Sequence, residues 1–256
     1  MGIRDSEEEI VYHFFAETEN IGADVTVIAG PDVNHIKNVL RMKPGERLTI
    51  SDGKGLQKLC EIAGYEEKKV ILKNLSEPVE DTELPARIYL FQGLPKSDKM
   101  ELIIQKAVEL GVHAVVPVDT MRTVVRLDAK KEEAKRKRWS SISESAAKQS
   151  GRMYIPEILP VMSFKDALRF ADGFDLKVIP YEAEGGSMEK TRTLFKSLKP
   201  GGRAAVFIGP EGGFDEAEIA MAGKEGVTPV TLGKRILRTE TAGLFVLSAL
   251  GLLLEE

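Results

Sequence analysis

Apolar and polar positions follow two different patterns along this chain. Over residues 1–76 the apolar runs are short: His13-Phe14-Phe15, Val25-Thr26-Val27-Ile28, Arg47-Leu48-Thr49-Ile50, a stretch within Leu59–Ala63, and Val70–Leu72. Runs of this length, punctuated by Lys43-Pro44-Gly45-Glu46 and Asp52-Gly53-Lys54-Gly55, predict strands joined by tight turns, and the second turn predicts a hairpin. Asp32 is a candidate cap for one short helix carrying Ile36, Val39 and Leu40. Several short strands with glycine turns predict a small β-barrel. Asn74–Pro85 is acidic and holds two prolines, so residues 77–86 read as a linker.

Beyond the linker the pattern alternates between buried-strand runs and helical periodicity. Strands are expected at Ile88–Gln92, Ala114–Val118, Leu176–Ile179, Ala204–Ile208 and Pro229–Leu232. Asp98–Leu110 predicts a helix with Ile103, Ala107 and Leu110 on one face and Gly111 as its stop. Such alternation predicts an α/β domain over residues 87–256, with a mostly parallel sheet covered on both faces.

Composition narrows the class. With 256 residues and 43% hydrophobic content the chain can bury two cores. A single cysteine, Cys60, excludes an internal disulfide framework, and three histidines without ligand spacing argue against a metal site. Met1–Glu9 is acidic and unlike a signal peptide, and Ala242–Leu254 is too short to span a membrane, which predicts a cytoplasmic protein without a membrane partner. The formal charge is −4, but unevenly spread. Residues 1–76 hold 10 Lys/Arg against 13 Asp/Glu, whereas residues 96–152 hold 13 against 8. The central surplus suits phosphates, or equally a solvated helix face. The helix Lys130–Arg138, ending at Trp139, allows the same two readings.

Two loops carry the candidate chemistry. Gly209-Pro210-Glu211-Gly212-Gly213-Phe214 follows a strand, and Asp215 with Glu218 forms a capping pattern for the next helix. Leu232-Gly233 ends another strand. Ile236-Leu237, expected to be buried, then leads through Arg238-Thr239-Glu240-Thr241 into an apolar helix, with Thr239 or Thr241 as its cap and Arg238 as an ion-pair partner for Glu240. Glycine loops at strand ends are where an open α/β sheet binds its ligand. No G-x-G-x-x-G, G-x-x-x-x-G-K-[ST] or G-x-S-x-G is present, so Rossmann, P-loop and serine-hydrolase sites lack support.

These two segments resemble the ribosomal small-subunit RNA methyltransferase E family of the knotted SPOUT class. The resemblance extends over nearly the whole chain: His35-Ile36-Lys37-Asn38-Val39-Leu40-Arg41 with Lys43-Pro44-Gly45, Lys96–Glu101, Gln105-Lys106-Ala107, Glu109–Val112, Arg122-Thr123-Val124-Val125, and Glu144 with Ala146-Ala147, Gln149-Ser150 and Arg152. One departure is His13-Phe14-Phe15, where the family has Arg-Phe-Phe; an imidazole grips phosphate less strongly than a guanidinium.

The resemblance implies a PUA-like barrel over residues 1–76 that holds RNA and a SPOUT α/β trefoil-knot domain over 87–256. It implies methylation of uridine N3 in 16S ribosomal RNA with S-adenosylmethionine, and a homodimer. The cofactor residues it implies are Gly209, Gly213, Leu232, Gly233, Ile236 and Leu237, with Ala242 allowing close approach. Pro180, Tyr181 and Glu182 are expected as a third wall, joined by Glu211, Arg238 and Thr239. For the acceptor, Arg122, Gln149, Arg152 and Arg238 are candidate clamps on phosphate or uracil oxygens. Glu211 and Glu240 are candidate bases, and either carboxylate can instead orient an arginine while solvent takes the proton. Two rivals remain at this point: a ribosome-assembly factor without chemistry, and an α/β nucleotide-dependent enzyme without RNA.

Overall fold

A computed structural model describes residues 12–77, 79, 81–181 and 187–255. The chain divides into two compact units. The first extends to Thr82 and also takes in Gly151–Ile155; the second comprises Glu83–Ser150 and the chain from Pro156 on. The boundary falls inside the acidic 77–86 stretch. The return of Gly151–Ile155 to the first unit has no signature in the hydrophobic pattern, because hydrogen bonds to its backbone fix it: Ser51 Oγ donates to Met153 O at 2.7 Å and Thr82 Oγ1 to Gly151 O at 3.0 Å.

In the first unit, β1 (Tyr12–Phe15), β2 (Val25–Ala29), β3 (Arg47–Ser51), β4 (Gln57–Glu66) and β5 (Lys69–Asn74) form one sheet in the order β1-β3-β4-β5-β2. Period-2 patterning explains the core: Leu48 and Ile50, Cys60 and Ile62, Val70 and Leu72 are each at most 1% exposed on one face of their strands. The hairpin expected at Asp52–Gly55 joins β3 to β4, with the Asp52 carboxylate accepting from Lys54 N–H and Leu56 N–H. Asp32 is not the cap that the sequence suggests. Pro31 opens helix α1 (Pro31–Asn34) with Gly30 at the N-cap, and the chain widens into a π-helical turn over His35–Val39 that buries Ile36. Proline fits the first helical position because its missing N–H has no partner to lose there.

The second unit is a parallel sheet. Its strands are β6 (Arg87–Gly93), β7 (Ala114–Asp119), β8 (Glu157–Ile158), β9 (Met162–Ser163), β10 (Leu176–Pro180), β11 (Arg203–Ile208) and β12 (Thr228–Val230). The order is β12-β10-β11-β6-β7-β8, with β9 paired to β7, and each of these pairings is parallel. Helices α2 (Lys99–Glu109), α3 (Ala129–Gln149), α4 (Phe164–Phe170), α5 (Met188–Phe195), α6 (Glu216–Lys224) and α7 (Thr239–Leu254) complete it.

Phe91 and Phe207 stack at 4.4 Å on the sheet face covered by α4 and α6, through Phe164, Ala167, Leu168 and Ala222. Each such fully buried side chain contributes about 1.5–3 kcal/mol. Leu90 and Ile208 point to the other face, where α7 lies so close that a Cβ on Gly243 would sit 3.2 Å from Leu90 Cδ1. The helix expected to end at Gly111 does so, with that glycine at φ +82°. Among the described residues no helix is long and apolar enough to cross a membrane.

Candidate cofactor and active site

Strands β12, β10 and β11 are neighbours, so the loops leaving their carboxyl ends converge. A cavity of about 800 Å³ lies there. Its first wall is the loop after β11. Gly213 sits at φ +67°, closing a turn in which its N–H donates to Pro210 O at 2.9 Å. Gly209 has no room for a side chain, since a Cβ would fall 3.0 Å from Gly213 Cα and 3.3 Å from the Phe214 ring. Arg122, on the loop after β7, braces this wall: it donates to Gly212 O at 3.0 Å and pairs with Asp215 at 3.3 Å. Asp215 and Glu218 form the expected capping box at the start of α6, and Glu218 Oε1 also accepts from Met121 N–H at 2.8 Å.

The second wall is the loop between β12 and α7, where Gly233 takes φ +113° with nothing within 4 Å of a notional Cβ. A side chain there is resisted by the backbone conformation rather than by packing. Two expectations fail on this wall. Ile236 is 80% exposed and not buried, because the loop runs around the cavity and, among the described residues, no element covers that side chain. The N-cap of α7 is Arg238, and neither Thr239 nor Thr241 caps it. Thr239 instead turns inward, donating to Gly209 O at 2.6 Å and accepting from Gln92 Nε2 at 2.9 Å, which ties the second wall to the first through the end of β6.

The third wall is Pro180 and Tyr181, with Tyr181 N–H donating to Val230 O at 3.0 Å. Glu182 lies outside the described residues. The cavity is thus lined by Pro180, Tyr181, Gly209, Glu211, Gly213, Leu232, Gly233, Ile236, Leu237, Arg238, Thr239 and Ala242 of the cofactor set, and by Arg122 and Glu240 of the acceptor set. Gln149 and Arg152 do not line it. Gln149 is exposed at the end of α3, and Arg152 is 4% exposed within Gly151–Ile155, the segment that belongs to the first unit.

The electrostatic centre is a residue that the sequence reading left without a role. Lys99 Nζ lies 3.0 Å from Glu211 Oε1 and 3.5 Å from Glu240 Oε2. Lys99, and not Arg238, is therefore the ion-pair partner of Glu240. Lys96 N–H reaches both oxygens of Glu211, at 3.1 and 3.3 Å. Burial pushes the Glu211 carboxyl up, but hydrogen bonds from its own N–H, from Lys99 and from Lys96 N–H outweigh it and hold the group below the ordinary carboxylate value. Lys99 is raised above the ordinary ammonium value, first by its hydrogen bond to Glu211. Glu240 Oε2 is buried and makes no hydrogen bond among the described residues. The signals for Lys99 in the sequence were its place just past the end of a buried strand, where ligand-site residues gather in such sheets, and its position inside the Lys96–Glu101 segment that carries the resemblance.

A parallel α/β sheet with a glycine-walled cavity at its strand ends agrees with the match of residues 82–251 to the RNA methyltransferase domain family. Residues 28–73 match the RNA methyltransferase PUA domain family. The chain is 41% identical to ribosomal RNA small subunit methyltransferase E of Bacillus subtilis (strain 168), over 87% of this chain and 88% of that protein. It is 32% identical to the protein of the same name in Mesomycoplasma hyopneumoniae (strain 232), over 93% and 98%. Among solved structures, ribosomal RNA small subunit methyltransferase E from Neisseria gonorrhoeae bound to S-adenosylmethionine superposes with a TM-score of 0.79 at 35% identity, covering 93% of this chain and 96% of that one. The chain belongs to the ribosomal RNA small subunit methyltransferase E family.

Proposed function

We propose that the protein transfers a methyl group from S-adenosylmethionine to N3 of one uridine in 16S ribosomal RNA, in the cytoplasm, on naked RNA or the small ribosomal subunit. The observation that carries this reading is the glycine-walled cavity with Glu240 on its rim, in a member of this family. The cavity volume suits a nucleoside joined to an amino acid. Gly209, Gly213 and Gly233 keep backbone groups accessible, and Leu232, Ile236, Leu237 and Ala242 supply apolar contact.

S-adenosylmethionine supplies a methyl group already activated on a sulfonium. The protein's tasks are then to align the acceptor and to take its imide proton. Glu211, saturated with donors, is poorly suited to accept that proton. Glu240 carries a buried oxygen without a hydrogen bond and is the better acceptor. Arg238, exposed at the mouth, suits the uracil oxygens or a flanking phosphate. Arg122, occupied by Gly212 O and Asp215, shapes the loop.

The same reading makes the first unit the RNA-holding PUA-like domain, and makes the strands and loops around the cavity a trefoil knot whose last threaded piece is α7. It also includes a homodimer. The support is that α7 leaves Phe245 (37%) and Leu252 (70%) exposed seven residues apart, on one helix face. Phe245→Glu is expected to convert dimer to monomer in sedimentation velocity; an unchanged sedimentation coefficient removes this face from the interface.

Incubation with methyl-labelled S-adenosylmethionine and either naked 16S RNA or small subunits tests the activity. Label at N3 of a single uridine is expected. Cofactor binding without RNA labelling would instead favour a nucleotide-dependent enzyme acting on something other than RNA.

A further inference from the structure

Lys99 touches two carboxylates that come from different walls. Glu211 stands in the loop after β11, Glu240 in the first turn of α7, and Lys99 opens α2. Carboxylates that share one counter-charge depend on it, because without it repulsion drives one of the pair to take up a proton. Other cations line the cavity. Arg122 is held by Gly212 O and Asp215, and among the described residues no ion pair joins Lys234, Arg235 or Arg238 to Glu211 or Glu240.

We propose that Lys99 is a positioning residue of the transfer site: its ammonium ties the start of α2 to both loops and keeps Glu211 and Glu240 ionised together. Glu211 is the anchor of this arrangement, held also by Lys96 N–H, which reaches both of its oxygens. Glu240 is the member left able to accept a proton, since its Oε2 meets Lys99 only at 3.5 Å and makes no hydrogen bond. The consequence for catalysis rests on the methyl-transfer reading; the charge pairing does not.

The test begins with the full-length, cofactor-free protein. The carboxyl signals of ¹³C-labelled glutamate are followed by NMR from about pH 2.5 to about pH 9, with Glu211→Gln and Glu240→Gln identifying the two resonances. Lys99→Met is expected to raise the titration midpoint of one of them by about one pH unit or more, and Lys99→Arg, which keeps the charge, to bring it back toward wild type. Lys99→Gln serves as a second neutral variant that retains a hydrogen-bond donor.

In single-turnover methyl transfer, the Lys99→Met rate is expected to fall about tenfold for each pH unit below the raised midpoint, relative to wild type at the same pH. A residue that merely braces the fold lowers the melting temperature and leaves both midpoints in place, and that result overturns the proposal. A wild-type protein that transfers no label, combined with a raised midpoint in Lys99→Met, condemns the methyl-transfer reading while the charge pairing stands.

Discussion

Glu240→Gln is expected to cut the single-turnover rate of methyl transfer by about 10² to 10⁴-fold, the usual contribution of a positioned general base, while S-adenosylmethionine affinity stays within a few-fold of wild type. Glutamine keeps the shape and one acceptor oxygen but cannot take a proton. Glu211→Gln is expected to behave differently. That carboxylate holds Lys99 and accepts from Lys96 N–H with both oxygens, so its loss loosens the first wall and should weaken cofactor binding as well as rate. The pair therefore separates a proton acceptor from an anchor by a split between rate and affinity. If both variants retain near-normal single-turnover rates, no carboxylate is the base, and solvent takes the proton.

The neighbourhood of Glu240 makes the contrast physical. Its side chain is 22% exposed and opens the last helix at a position where the helix dipole already favours a negative charge. Lys99 adds a counter-charge at 3.5 Å, beyond a good hydrogen bond. A carboxylate beside a counter-charge but not saturated with donors keeps a lone pair open to a proton, which Glu211 lacks.

Much of this arrangement was legible in the residues because it is local. Strand ends followed by glycine loops announced two cavity walls, and the Asp215–Glu218 spacing announced the capping box that starts α6. What escaped was non-local. Lys99 is 112 residues from Glu211 and 141 from Glu240 in the chain, and only the parallel order β12-β10-β11-β6 brings the end of β6 beside the loops that bear those carboxylates. Thr239 looked like a helix cap by residue type, yet Gly209 O and Gln92 Nε2 compete for its hydroxyl and win. Ile236 looked like core by polarity alone, but a loop residue is buried only where another element faces it, and none of the described residues covers it. Gln149 and Arg152 lie three positions apart in sequence, yet they fall in different units of the molecule.

Gly209→Val is expected to weaken S-adenosylmethionine binding by at least about 100-fold in titration calorimetry, with the protein still folded. A single Cβ at this position already falls 3.0 Å from Gly213 Cα, tighter than an ordinary van der Waals contact, and valine adds two methyl groups beyond it. The least costly relief is for the Gly209–Phe214 loop to open. Opening pulls Gly209 O away from the Thr239 hydroxyl and carries Glu211 away from Lys99, so the first wall separates from the second and from α2 in one movement. The core strand β11 ends at Ile208, before the affected residue, which is why loss of binding should exceed loss of stability. Gly233→Val offers a graded comparison: among the described residues nothing lies within 4 Å of its Cβ, so the cost there comes from φ +113°, a conformation that strains a β-branched residue. It should weaken binding by a smaller factor than Gly209→Val. Unchanged affinity in both variants would remove the two glycine loops from the cofactor site altogether.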